Sequence, residues 1–196
     1  MPDRESLVTK LEQGRAEFAY RCVEELVKIQ GDVQERFKKY VENKLKEEIE
    51  KGTIEETQID RILTMIIEFC KEKNLPDIQD KICKMYRNLL KDYRSYSRKI
   101  PQMVLSNGLG QTLAFVKSKA RDGNAYDVLY SQIADYLKSN STSRIKMPDN
   151  AELVEWVISL DSYNYHYATE EILAFLNWLR RFAEGLIETT EGEGEV

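Results

Sequence analysis

Apolar positions along this chain recur every three or four residues, the spacing that places side chains on one face of an α-helix. Ala16, Tyr20, Val23 and Val27 predict a helix over about 5–30, which Gly31 either breaks or bends. Val33, Phe37, Val41, Leu45 and Ile49 continue at steps of four over 32–51, and Gly52 ends the run with a residue suited to a left-handed cap. Thr53 and Glu56 form a capping box for a helix to about Asn74, with Ile59, Ile62, Ile66, Phe69 and Cys70 on its face. Pro76 suits the first turn of a helix over about 77–99, whose inner face is Ile82, Tyr86, Leu89, Tyr93 and Tyr96. Pro101 opens another over about 101–120. Asp122-Gly123-Asn124 is a turn, followed by a helix over 125–139 with Val128, Leu129, Ile133 and Leu137 inward. A polar loop runs from Ser139 to Pro148, and Asp149 with Glu152 caps a short helix to Leu160. Asp161 to Tyr167 reads as a tyrosine-rich connector. The last helix, from after Thr169 to about Ile187, carries Ile172, Leu176, Leu179, Ala183 and Leu186 at spacings of 4-3-4-3.

The pattern predicts an all-α protein: one compact bundle of about eight helices over residues 1–187, with an acidic, disordered tail over 188–196. Residues 32–90 are denser in Lys and Glu and hold no Trp. They are either a helical hairpin inserted into the bundle or part of it. The breaker count agrees with long helices: 9 Gly and 4 Pro in 196 residues. Apolar residues at 42 % are enough to fill a core. No apolar run approaches the roughly 18 residues of a membrane span. The start, Met1-Pro2-Asp3-Arg4-Glu5, has no apolar signal-peptide stretch, so a cytoplasmic protein is expected.

Candidate catalytic chemistry is sparse. Cys22, Cys70 and Cys83 lie far apart among apolar neighbours, with no CxxC, and read as buried thiols. His166 is the only histidine, which excludes HExxH and His-rich metal sites, and no nucleophile motif accompanies it. Gly108 and Gly110 make a GxG without the third glycine of a dinucleotide fingerprint. Adjacent acids such as Glu47/Glu48 and Glu170/Glu171 point in different directions from a helix and make poor acid–base pairs. A non-enzymatic protein with no metal, cofactor or small-molecule substrate is expected.

Charge is distributed unevenly. The whole chain is −5, yet residues 84–121 hold Lys84, Arg87, Lys91, Arg94, Arg98, Lys99, Lys117, Lys119 and Arg121 against one acid, Asp92. That segment is +8, and the remainder is −13, with five acids over 184–196. Lys84, Arg87, Lys91, Arg94 and Arg98 step by 3, 4, 3 and 4, so they line one helix face, expected opposite the core face. Such a stripe suits a phosphate backbone through charge neutralisation and counterion release. A solvated face and a surface for an acidic protein partner are the competing readings. Among the 11 tyrosines, Tyr86 and Tyr93 fall on the core face, whereas aromatics beside basic residues can stack bases. Ser106, Gly110 and Ala114 form a small-residue stripe that invites close approach of another helix, which places the 101–119 helix in the core.

The run Ile100-Pro-x-Met-Val-Leu-x-Asn-Gly-Leu-Gly-Gln-Thr-Leu-Ala-Phe115 is followed by Ala168-Thr-x-Glu-x-Leu-Ala-Phe-Leu-x-Trp-Leu-x-Arg-Phe-Ala183. Together with Arg15-Ala-Glu-Phe-Ala-Tyr-Arg-Cys-Val23, these resemble the small subunit of the Cmr complex, the type III-B CRISPR RNA-guided effector. The resemblance implies an all-helical, non-catalytic subunit. It implies copies stacked in a minor filament beside other Cmr subunits, the backbone and large subunits, where guide RNA and target RNA lie. A helical adaptor that bridges proteins without touching RNA is the alternative.

Overall fold

The computed structural model describes residues 4–42, 78–121, 123–139 and 145–188, with side chains over 9–29 and from 84 onward within those ranges. Among them are six helices and no strand: α1 (Arg4–Glu42), α2 (Ile78–Asn107), α3 (Leu109–Lys119), α4 (Ala125–Ser139), α5 (Leu153–Ser159) and α6 (Ser162–Leu186). The capping box at Thr53, the helix it opens and the tail beyond Glu188 lie outside the described residues.

The 4-3-4-3 pattern near the C-terminus makes the helix that the others cover. Ala168, Ile172, Phe175, Leu176, Leu179 and Ala183 of α6 are fully buried, and α6 packs on α1, α2 and α5. α2 also packs on α3 and α4, and its Tyr93, Ile100 and Val104 are buried. Val128, Leu129, Ile133 and Leu137 of α4 are all buried, as their spacing predicts. Tyr136 stacks on Phe175 with ring centroids 4.2 Å apart, and Phe18 meets both rings edge-on.

The buried polar residues Ser97, Thr112, Gln132 and Glu171 are all hydrogen-bonded. Glu171 is nearly buried and accepts from Arg15 Nε at 2.9 Å and from Arg15 Nη2 at 2.7 Å, a bidentate pair. Tyr136 donates to the same carboxylate. Arg15 also meets Glu12, whose other oxygen accepts from Trp178 Nε1 at 2.8 Å. Hydrogen bonding to Glu171 raises the Arg15 pKa further, against the opposing effect of burial. Tyr93 donates to Gln132 Oε1 at 2.7 Å, and Gln132 Nε2 in turn reaches the Cys22 carbonyl at 3.4 Å. Tyr86 donates to the Leu26 carbonyl.

Several boundaries differ from the sequence pattern. The first helix runs unbroken through Gly31, and its inner face is Ala19, Cys22, Val23, Leu26 and Ile29; Tyr20 is 39 % exposed. No helix begins at Pro101. α2 continues through it, and only the Ser97 carbonyl loses its usual donor. The break falls at Gly108, with φ 85° and ψ 160°, a conformation essentially confined to glycine. The small-residue stripe is not a seam between helices, since Ser106 and Ala114 are exposed. Close approach is real only near Gly110, where an added Cβ would stand 3.5 Å from Tyr165 Oη and 3.7 Å from Ile158 Cγ2.

The tyrosine-rich connector is helical. Asp161 caps α6 by accepting from Asn164 N at 2.9 Å, so Tyr163, Tyr165 and Tyr167 occupy its first turns. Tyr165 Oη then accepts from Gly110 N at 2.9 Å, satisfying a first-turn donor of α3 that the glycine before it has no side chain to cap. Glu152, not Asp149, caps α5, accepting from Glu155 N at 3.1 Å.

This packing can be tested by substitution. Glu171→Leu leaves the Arg15 guanidinium nearly buried with Glu12 alone and should cost about 3 kcal/mol, the lower end for breaking a buried pair. An unchanged denaturant midpoint would show that the network contributes nothing to stability. Gly108→Ala forces a side chain into the glycine-only region at about 1–3 kcal/mol, and Gly110→Leu overpacks Tyr165 and Ile158 at a similar cost. Melting curves superimposable on wild type would refute both placements.

Candidate nucleic-acid interface

The nine basic residues of the 84–121 segment occupy different electrostatic settings. Neighbouring residues are about 100° apart around a helix, so the stripe flanks the buried face of Tyr86, Leu90, Tyr93 and Ser97 and does not oppose it. Arg94, one position from the fully buried Tyr93, is accordingly half-buried. Its Nη2 donates to the Glu184 carbonyl of α6 at 3.3 Å, and its Nε is buried without a hydrogen-bond partner. Arg98 Nε lies 2.7 Å from Glu184 Oε1. The last turn of α6 has no basic residue of its own. These two arginines from α2 therefore supply the positive charge that a helix C-terminus favours. The Arg98 pair is solvent-accessible and worth at most about 1 kcal/mol.

Lys84, Arg87 and Lys91 are exposed and meet no carboxylate among the described residues. They span two turns of α2, about 10 Å along its axis. Lys117 belongs to a separate cluster. Its Nζ is 2.9 Å from Glu152 Oε1, and the same carboxylate accepts from the Tyr130 hydroxyl. Burial would raise the Glu152 pKa, but hydrogen bonds from Tyr130, Lys117 and the Glu155 amide outweigh it and hold the group down at about 2. Arg121 is exposed just beyond α3, where Gly123 turns the chain at φ 73°.

Lys99 and Lys119 each lie over a ring of one aromatic cluster. Tyr96 of α2 stacks on Tyr126 of α4 with centroids 4.0 Å apart and planes 14° apart, and Phe115 of α3 meets Tyr126 edge-on at 6.0 Å. Lys99 Nζ sits 5.8 Å from the Tyr96 centroid, and Lys119 Nζ 5.9 Å from that of Phe115. The sequence pattern named the lysines and Tyr96 but missed Phe115 and Tyr126, because the grouping joins three helices. It likewise missed Glu184 and Glu152 as acceptors, for which no local spacing gives a signal.

Side chains with potential for covalent chemistry are poorly placed for it. Burial pushes the Cys22 thiol up to about 12, far from a reactive thiolate. His166 is exposed and pairs with Glu170 at 3.2 Å, one turn away on the same helix. Cys70 and the Cys83 side chain lie outside the described residues. Among the described residues no group of three His, Cys, Asp or Glu could hold a metal, and no helix is long and apolar enough to cross a membrane.

The Glu152 cluster sets a pH dependence. A carboxylate depressed in the folded state stabilises above its unfolded value near the usual 4.5 and loses that contribution as pH falls towards 2. Melting temperatures should show wild type above Glu152→Gln at pH 6, with the gap closing between pH ~4.5 and ~2. A gap constant over that range would show that ionised Glu152 adds nothing.

Comparison with known proteins identifies a family. The family described as CRISPR-associated protein (Cas_Cmr5) matches residues 55–186. The match takes in much of the segment expected to be an insertion and leaves out Arg15–Val23. The Thermus thermophilus protein named CRISPR system Cmr subunit Cmr5 is 34 % identical over 97 residues, 50 % of this chain and 76 % of that protein. The crystal structure of a CRISPR-associated Cmr5 family protein, also from Thermus thermophilus, aligns at 26 % identity, over 68 % of this chain and 100 % of that one, with a TM-score of 0.41. On the extent of the family match and the identity to its Thermus relative, the chain belongs to the Cas_Cmr5 family of CRISPR-associated proteins.

Proposed function

We propose that this chain is the small, non-catalytic subunit of a cytoplasmic Cmr-type RNA-guided complex and contacts the backbone of guide or target RNA through α2. Family membership supports the assembly. The observation that carries the RNA contact is the row of Lys84, Arg87 and Lys91, exposed and unopposed by acids in the +8 segment. Phosphate contacts carry no base information, which suits a subunit serving many guides whose pairing reads the sequence. The contrast between this segment and the −13 remainder favours head-to-tail stacking of copies in a minor filament, an open contact and not a closed one. Arg94, Arg98 and Lys117 take part less directly, since each already meets an acidic residue or a helix end of its own chain.

The geometry narrows the test to the three unopposed residues. Substituting Arg94 or Arg98 would also disturb the end of α6. Lys84, Arg87 and Lys91 replaced together by Glu keep good helix formers in α2. The assembled complex carrying this variant should retain target RNA more weakly. The slope of log affinity against log salt should flatten by about 2–3, at 0.7–0.9 per lost phosphate contact. Normal assembly with an unchanged affinity and slope would leave the chain as a protein-bridging adaptor.

A further inference from the structure

Aromatic rings flanked by cations occur at two places on the described surface, and their surroundings differ in charge. On α1 and α6, Tyr20, Trp178 and Phe182 lie beside Arg21 and Arg181. There Glu12, Glu17 and Glu24 cancel the positive charge, and Glu12 is committed to Trp178 and Arg15. In the other cluster Tyr96 and Phe115 belong to the +8 segment over 84–121, and Tyr126 lies five residues beyond it, with Asp92 acting on its hydroxyl. The cluster's rings are only part-buried, and Phe115 is 38 % exposed. One face of Tyr96 is occupied by Tyr126. Lys99 lies over Tyr96 and Lys119 over Phe115. A lysine is a flexible arm, exposed at both positions, and it can leave a ring for a phosphate without moving a helix.

We propose that Tyr96, Tyr126 and Phe115 form a stacking platform for an unpaired base of an RNA strand, with Lys99 and Lys119 neutralising the phosphates beside that base. The three rings come from three helices, so packing of α2, α3 and α4 holds the platform rigid before any ligand arrives. A base entering over Tyr96 or Phe115 takes the place of an ammonium on the ring face, and the freed ammonium meets the strand's own negative charge. Stacking of this kind tolerates any base, because every base has a π-face. The proposal rests on the RNA contact argued above and adds a base-dependent component to it.

The test uses the full chain with a short oligouridylate and an abasic ribose-phosphate oligomer of the same length, read by fluorescence anisotropy at two salt concentrations. Wild type should bind the oligouridylate about tenfold more tightly than the abasic oligomer, as one stacked base supplies. Tyr96→Leu and Phe115→Leu should bring oligouridylate binding down to the abasic level and leave abasic binding unchanged. Tyr96→Phe and Phe115→Tyr keep a ring and should keep the preference. The Phe115 pair serves as the second arm if Tyr96→Leu lowers the melting temperature. Equal wild-type affinity for the two oligomers, or Leu variants that weaken both alike, overturns the platform while the backbone contact stands. Failure of wild type to bind either oligomer in a salt-dependent way overturns both.

Discussion

A carboxylate withdrawn from water must be met by charge and hydrogen bonds, or it costs several kcal/mol. Glu171 is met by two Arg15 nitrogens and by Tyr136, from two other helices. The guanidinium carries the same requirement and turns its remaining nitrogen to Glu12. Glu12 then reaches Trp178, two turns along α6 from Glu171. The chain of contacts thus leaves α6 and returns to it, which fixes how far α1 can slide along it. Apolar residues of similar volume would fill the same space, but they would tolerate a shift by one turn. The stacked Phe175 and Tyr136, with Phe18 on their edges, surround the pair with rings whose geometry is also directional.

Once α6 is held in this way, its two ends determine what the neighbouring helices present. At the N-terminal end Tyr165 caps α3, so the Gly108 break is supported from outside the segment that contains it. At the C-terminal end Glu184 lies against α2, where Arg94 donates to its backbone carbonyl and Arg98 to its side-chain carboxylate. The basic stripe is thereby divided. Its C-terminal half serves the fold, and its N-terminal half, from Lys84 to Lys91, keeps its charge for solvent or a partner.

What could be read from the sequence was whatever depends on local spacing. The inward residues of α4 appear in the structure as the pattern places them, and so does the 4-3-4-3 face of α6 except for the half-buried Leu186. Boundaries decided by tertiary contacts were not legible. Pro101 looks like a helix start because its own N–H is missing, yet buried packing around Ile100, Pro101 and Val104 carries the helix past it. The three tyrosines near 165 look like a linker, because what makes them helical is one Asp161 cap and a hydroxyl that reaches α3. The basic stripe was legible as a stripe. Its division was not, because Glu184 is 86 residues from Arg98 in sequence and no spacing rule connects them.

The same division bears on how such a surface can work without reading sequence. Exposed lysines and arginines attract a polyanion at long range, and salt screens that attraction over about 8–10 Å. Rings act only on contact and are insensitive to salt. A surface that holds both can therefore keep a strand by two independent means, neither of which depends on base identity. In this chain the cations and two of the three rings lie within one segment of 38 residues, and the third ring, Tyr126, lies five residues beyond it. The fold has already assigned the cations nearest its own acidic helix end to internal contacts. Those left over border either the open face of α2 or the rings joining α2, α3 and α4. Charge and aromatic surface are thus adjacent because three helices converge there, and the convergence is set by the buried network on α6 that none of those residues touches.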